Sequence, residues 1–162
     1  MNIIESIIIN NFTKILPHKL ISKILKIFGI NIGKAVIRRN CYFDSKRIKI
    51  GDNTFVNQFC QFHTGGQKDG AINIGDNCDI GMGVKFICPT HDIGSKNKRA
   101  GVSVVKPINI KNGTWIGANS TILSGVTIHE GCIIAAGSVV INDCKPNHLY
   151  AGVPAKLIKK LD

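Results

Sequence analysis

Aromatic residues are scarce in this chain: they make up 6% of its 162 residues, with a single Trp. Zinc-finger spacing and a helix-turn-helix pattern are also missing. Together these absences remove the stacking platforms and docking motifs by which basic proteins read nucleic acid, so nucleic acid is not an expected partner. Acidic residues are few as well, 10 against 21 Lys and Arg, and the resulting net charge of +11 asks for anionic partners of another kind. A polyphosphate cofactor or an anionic carrier-lipid surface suits that charge, although an AT-rich genome would also enrich Lys beside Ile and Asn. No apolar run reaches the roughly 20 residues of a membrane span. No signal peptide is recognisable, so the expected compartment is the reducing cytoplasm, possible inner-face membrane contact aside. The six Cys are then not a disulfide framework; Cys60, Cys78 and Cys132 read as small buried fillers. With 44% hydrophobic residues, one domain with a substantial core is expected.

What the sequence does have is a period of six. Ile110, Ile116, Ile122, Ile128, Ile134 and Val140 recur at that interval. A small residue stands four positions after each of the first five (Thr114, Ser120, Val126, Cys132, Ser138). One position before each of these stands Gly113, Asn119, Gly125, Gly131 or Gly137, residue types that tolerate positive φ and so mark sharp corners. A helix repeats every 3.6 residues and a strand every two, so neither explains the pattern. Short strands joined by tight bends do, stacked into a parallel solenoid of triangular section in which three hexads close one coil. Ile50, Ile74 and Ile80 with their following glycines carry the pattern upstream, and regular coils are expected from Ile50 onward.

Residues 1–29 break the rule. Ile3, Ile4, Ile7 and Ile8, then Leu16, Leu20, Ile21, Ile24, Leu25 and Phe28, have helical spacing on either side of Pro17. Two readings stand: a cap over the open first coil, or a basic amphipathic helix resting on a membrane surface. Residues 30–145 are the solenoid. Within it, 36–49 read as an irregular coil with Arg38, Arg39, Lys46, Arg47 and Lys49 facing solvent, and 63–71 and 88–106 read as loops. Residues 146–162 read as a turn-rich C-terminal segment in which Lys156, Lys159 and Lys160 fall in a short helix or a tail. Of five His, only His63 and His91 stand where a coil gives way to a loop. An imidazole there suits general-base work at neutral pH.

The hexads, the PTHD stretch at His91 and the WIGANSTILSGVTI segment resemble the hexapeptide-repeat acyltransferases, in particular their sugar and antibiotic O-acetyltransferases, over most of the chain from about Ile50 to Lys159. The resemblance implies an all-β fold, a left-handed parallel β-helix; that hand opposes the usual rule for parallel crossovers and comes from the resemblance alone. It implies acetyl-coenzyme A as acyl donor, a sugar hydroxyl as acceptor, His91 as general base and no metal. Asn57, His63, Asp92 and Arg99 fall at or near acceptor positions. Trp115, Gly117, Ala118, Ala136 and Gly137 match the thioester channel, with Lys156 and Lys159 against coenzyme phosphates. Family members are homotrimers with active sites between subunits. Ile141-Asn142 stands where relatives often carry Thr-Lys, which removes one coenzyme contact. Serine, a nucleotide amino-sugar or an antibiotic are alternative acceptors. A zinc hydratase would need a third His beside His63 and His91, and a non-catalytic scaffold remains open because the fold alone confers no activity.

Overall fold

The hexad can keep its large residue inside only if the chain bends after every two or three residues of strand, and this sets the architecture. The computed structural model describes Met1 and residues 3–162; Asn2 and the side chain of Ile3 lie outside it, including Ile3's place in the helical stripe. Five coils of three short strands follow one another. The first comprises β1 (Asn31–Ile32), β2 (Val36–Ile37) and β3 (Tyr42–Phe43); the second β4 (Ile48–Ile50), β5 (Phe55–Val56) and β6 (Gln61–His63); the third β7 (Ile72–Ile74), β8 (Asp79–Ile80) and β9 (Lys85–Ile87). A hairpin of β10 (Pro89–Ile93) and β11 (Ala100–Val105) interrupts the stack. Then come β12 (Ile108–Ile110), β13 (Trp115–Ile116) and β14 (Thr121–Leu123), and finally β15 (Thr127–Ile128), β16 (Ile133–Ile134) and β17 (Val139–Val140).

Equivalent strands of successive coils pair in parallel, giving a prism with three sheet faces, here called the first, second and third. Ile110 pairs with Ile128, Ile116 with Ile134 and Ile122 with Val140, so three hexads close a coil. Those residues are buried, as are the small residues near the corners. The five corner residues from Gly113 to Gly137 all have positive φ. Phe43, Phe62 and Phe86 stack along the axis beneath the third face, with ring centroids 4.8 and 5.1 Å apart.

Regular coils begin at Asn31, earlier than the sequence indicated. The first coil reads as irregular in the sequence because its inward residues Ile32, Ile37, Phe43 and Ile50 are spaced by five, six and seven rather than by six throughout. Of the cations assigned to solvent there, Arg47 is half-buried, donating to the carbonyls of Gly65 and Gly70. Lys46 is half-buried too, paired with Glu5 at 2.9 Å.

Two helices, α1 (Ile3–Ile15) and α2 (His18–Ile27), pack on the first coil. α2 lays Ile21 and Leu25 on the core in the ordinary amphipathic way. α1 is inverted. The open edge of a first coil presents unpaired backbone groups that need polar partners. Asn10 meets them: its Nδ2 donates to the Phe43 carbonyl and its Oδ1 accepts from the Phe43 N–H. Thr13 donates from Oγ1 to the Cys41 carbonyl. The polar side of α1 therefore faces the solenoid, with Ile9 as its buried apolar residue.

Both insertions enter at the corner between the third and first faces. The stretch after His63 is a loop, whereas 88–106 is mostly the antiparallel hairpin β10–β11. The C-terminal segment is not a helix. β18 (His148–Gly152) continues the second face in parallel with β16, and β19 (Ala155–Lys160) turns back antiparallel on β18. Here an available sheet edge overrides the helical spacing of KLIKK.

Candidate active site

His91 lies in β10 opposite Ser103 of β11, exposed to solvent. Its Nδ1 is 3.1 Å from the Gly101 carbonyl, which can only accept, so Nδ1 is the donor of that bond and the neutral ring's lone pair belongs to Nε2. Register slips between His91 and Ile93, placing Asp92 at the bulge. Arg99 donates to the Gly94 carbonyl across the hairpin tip, so within one chain it braces the turn. His63 ends β6, half-buried, with Nε2 3.1 Å from Gln61 Oε1 and its ring 5.2 Å from that of Tyr42.

The loop after His63 is held from below. The Asp44 carboxylate accepts from the Thr64 N–H, the Thr64 hydroxyl and the Gly65 N–H, while Arg47 crosses to the carbonyls of Gly65 and Gly70. This loop abuts the hairpin: a Cβ on Gly65 would stand 3.4 Å from both Pro89 and Val105, and Gln67 reaches the Ser103 carbonyl. Sequence reading missed Asp44 and Arg47, which sit in the coil with irregular spacing.

A second feature occupies another corner, between the second and third faces. There an apolar groove of about 810 Å³ runs along the stack. Trp115 stands at its side, and Gly117, Ala118 and Ala136 form its floor together with Asn57 and Lys159. Six of the residues assigned to the channel and acceptor from sequence thus meet in one groove. Asn57 accepts from the Gln58 N–H through Oδ1, which leaves its amide N–H groups to donate. Gly137 and Lys156 do not line the groove: Gly137 turns the same corner at φ +72° without facing the groove, and Lys156 sits on β19 opposite Ala151. Met82, Leu149 and Leu161 line it too. Met82 was detectable, since Ile80-Gly81-Met82 is in register with Ile116-Gly117-Ala118. The two leucines lie past the last hexad and carried no signal.

The small residues of the floor are required by coil spacing. A Cβ on Gly117 would lie 2.5 Å from the Ala136 nitrogen, and one on Gly81 would lie 2.6 Å from that of Ala118.

The six Cys offer no nucleophile. All are free and buried. Burial pushes the Cys88 thiol up to about 11 and the Cys144 thiol up to about 12, so both stay protonated at neutral pH. The Cys41 thiol is raised by its hydrogen bond to Cys60 and by burial; Cys60 is lowered by the same contact but has no exposed surface. Among the described residues no three of His, Cys, Asp and Glu gather to hold a metal ion.

His91 and the groove therefore stand at different corners of the same prism, separated by the third face. One chain carries an exposed imidazole at one corner and, at another, an apolar groove with Lys159 in its lining.

Residues 107–142 match the family described as bacterial transferase hexapeptide (six repeats), and residues 71–85 match the hexapeptide repeat of succinyl-transferase. A putative acetyltransferase of Staphylococcus aureus (strain MRSA252) is 43% identical over 115 residues, 71% of this chain and 56% of its own length. The galactoside O-acetyltransferase of Escherichia coli (strain K12) is 34% identical over 122 residues, 75% of this chain and 58% of its own. The chain thus spans a little over half the length of these curated relatives. A hexapeptide-repeat-containing acetyltransferase of Vibrio cholerae O1 biovar eltor, solved with acetyl coenzyme A, superposes with a TM-score of 0.82 at 31% identity, covering 98% of this chain and 86% of that one.

Proposed function

Because the chain belongs to the hexapeptide-repeat acyltransferases, whose fold is the left-handed parallel β-helix, we propose that it transfers acetyl from acetyl-coenzyme A to a hydroxyl of a sugar in a cytoplasmic glycan precursor. The observation that carries this reading is the apolar groove bounded by Trp115, Ala118 and Ala136, with Lys159 among its lining. The extended arm of the coenzyme lies along it, and Lys159, with Lys156 on the same strand, meets the coenzyme's phosphates as point charges.

His91 acts as general base. Its Nδ1–H is spent on the Gly101 carbonyl, so Nε2 takes the hydroxyl proton as the acceptor oxygen attacks the thioester carbon. The C–O bond forms, and the carbonyl oxygen becomes an oxyanion that accepts from a backbone N–H near Ala118. As the C–S bond breaks, the imidazolium returns its proton to the departing sulfur. Asn57 donates to the acceptor and sets the angle of attack. The galactoside O-acetyltransferase relative supports a sugar acceptor.

Base and groove share no corner, so the site is completed by a neighbouring copy: the hairpin of one chain meets the groove of the next in a homotrimer. The purified protein, given acetyl-coenzyme A and a panel of sugars, serine, nucleotide amino-sugars and antibiotics, tests this through thiol release. Sugar-dependent release is expected, and release with amines alone would refute O-transfer. His91→Ala should lower kcat by about 10²- to 10⁴-fold, the usual worth of a general base, while coenzyme binding persists.

A further inference from the structure

α1 shows solvent an apolar stripe in which Asn11 is the one polar residue. Ile4, Ile7 and Ile15 are 69%, 56% and 75% exposed, and Ile8 and Phe12 complete about three turns of the same side. Ile27 of α2 is 77% exposed as well. The stripe follows from the chemistry underneath it, since Asn10 and Thr13 must face the coil edge and leave the isoleucines outside. Such a surface requires a cover.

Charge decides what kind. Residues 1–40 contain seven Lys and Arg and one acid, Glu5, which is paired with Lys46. Where the stripe ends, Ile15, Pro17, His18, Arg38 and Arg39 enclose a pocket of about 250 Å³. A second copy of this region would bring like charges together, whereas an anionic lipid surface receives both the stripe and the cations. No described helix is long and apolar enough to cross a membrane, so the helix lies along the surface.

We propose that α1 docks on an anionic membrane surface, its isoleucines in the headgroup–acyl boundary and a lipid phosphate in the His18–Arg38–Arg39 pocket. The docking is independent of the acyl-transfer chemistry and is read without it. The experiment floats the full chain with vesicles of pure phosphatidylcholine, or of equal parts phosphatidylcholine and phosphatidylglycerol. Binding to the anionic vesicles alone is expected, weakening as salt rises. Arg38→Gln with Arg39→Gln should lower partitioning about thirty-fold, about five-fold for each charge removed. Ile4→Ser with Ile7→Ser should abolish it, with circular dichroism and oligomeric state unchanged. Equal binding to both vesicle types, or binding to neither, would overturn the proposal. So would a change of oligomeric state in the isoleucine variant, because a second copy would then be the cover.

Discussion

Gly117→Ala tests whether the groove floor depends on the approach of two backbones. The added Cβ meets the Ala136 nitrogen at 2.5 Å and its Cα at 2.8 Å, against the roughly 3.4 Å and more of an ordinary contact. Neither atom can swing away as a side-chain end would. The coils would have to part by about 1 Å exactly where the Gly117 N–H donates to Ile134 O at 2.7 Å. Overpacking of this kind costs about 1–3 kcal/mol, and stretching the hydrogen bond adds about 1 kcal/mol. A loss of about 2–4 kcal/mol is expected in chemical denaturation. Coenzyme A affinity by calorimetry should fall as well, because the same displacement shifts Gly117 and Ala136 in the groove floor. Gly137→Ala is the control. There a Cβ has nothing within 4 Å, so only the positive φ opposes it, at about 1–2 kcal/mol, and the groove floor is untouched. Gly117→Ala with unchanged stability and affinity would refute the idea that coil spacing builds the groove.

Asp44→Asn replaces a carboxylate that accepts three hydrogen bonds with an amide that can accept at only one oxygen. The loop after His63 should loosen against the hairpin, lowering kcat by about ten- to a hundred-fold, while KM for acetyl-coenzyme A holds, as steady-state kinetics would show. Phe62→Ala empties the middle of the phenylalanine stack and should cost about 3–5 kcal/mol in denaturation, with coenzyme affinity retained because the groove lies at another corner.

The solenoid was legible because a buried residue every sixth position has no other regular explanation, and the corners announced themselves through Gly113 to Gly137. Legibility failed where geometry tolerates variation. The first coil shortens one side and lengthens another, so Ile37 and Phe43 fall out of phase although they pair like the rest. The hairpin around His91 is exposed over most of its length, and exposed strands leave no hydrophobic period to read. At the C-terminus, Leu157 and Ile158 fit a helix equally well, and only the waiting edge of β18 selects a strand. Of the candidate site, the groove residues were accessible through their register. The bracing by Asp44 and Arg47 depends on contacts some 20 residues apart, with no local signature.

Both insertions into the spool enter along a single seam, the edge where the loop after His63 and the hairpin touch each other. Length gained there displaces nothing in the stack below. A lineage of such chains is therefore free to alter what its outer flap grips while the channel on the opposite margin stays constant, so the two halves of the chemistry can diverge at different rates.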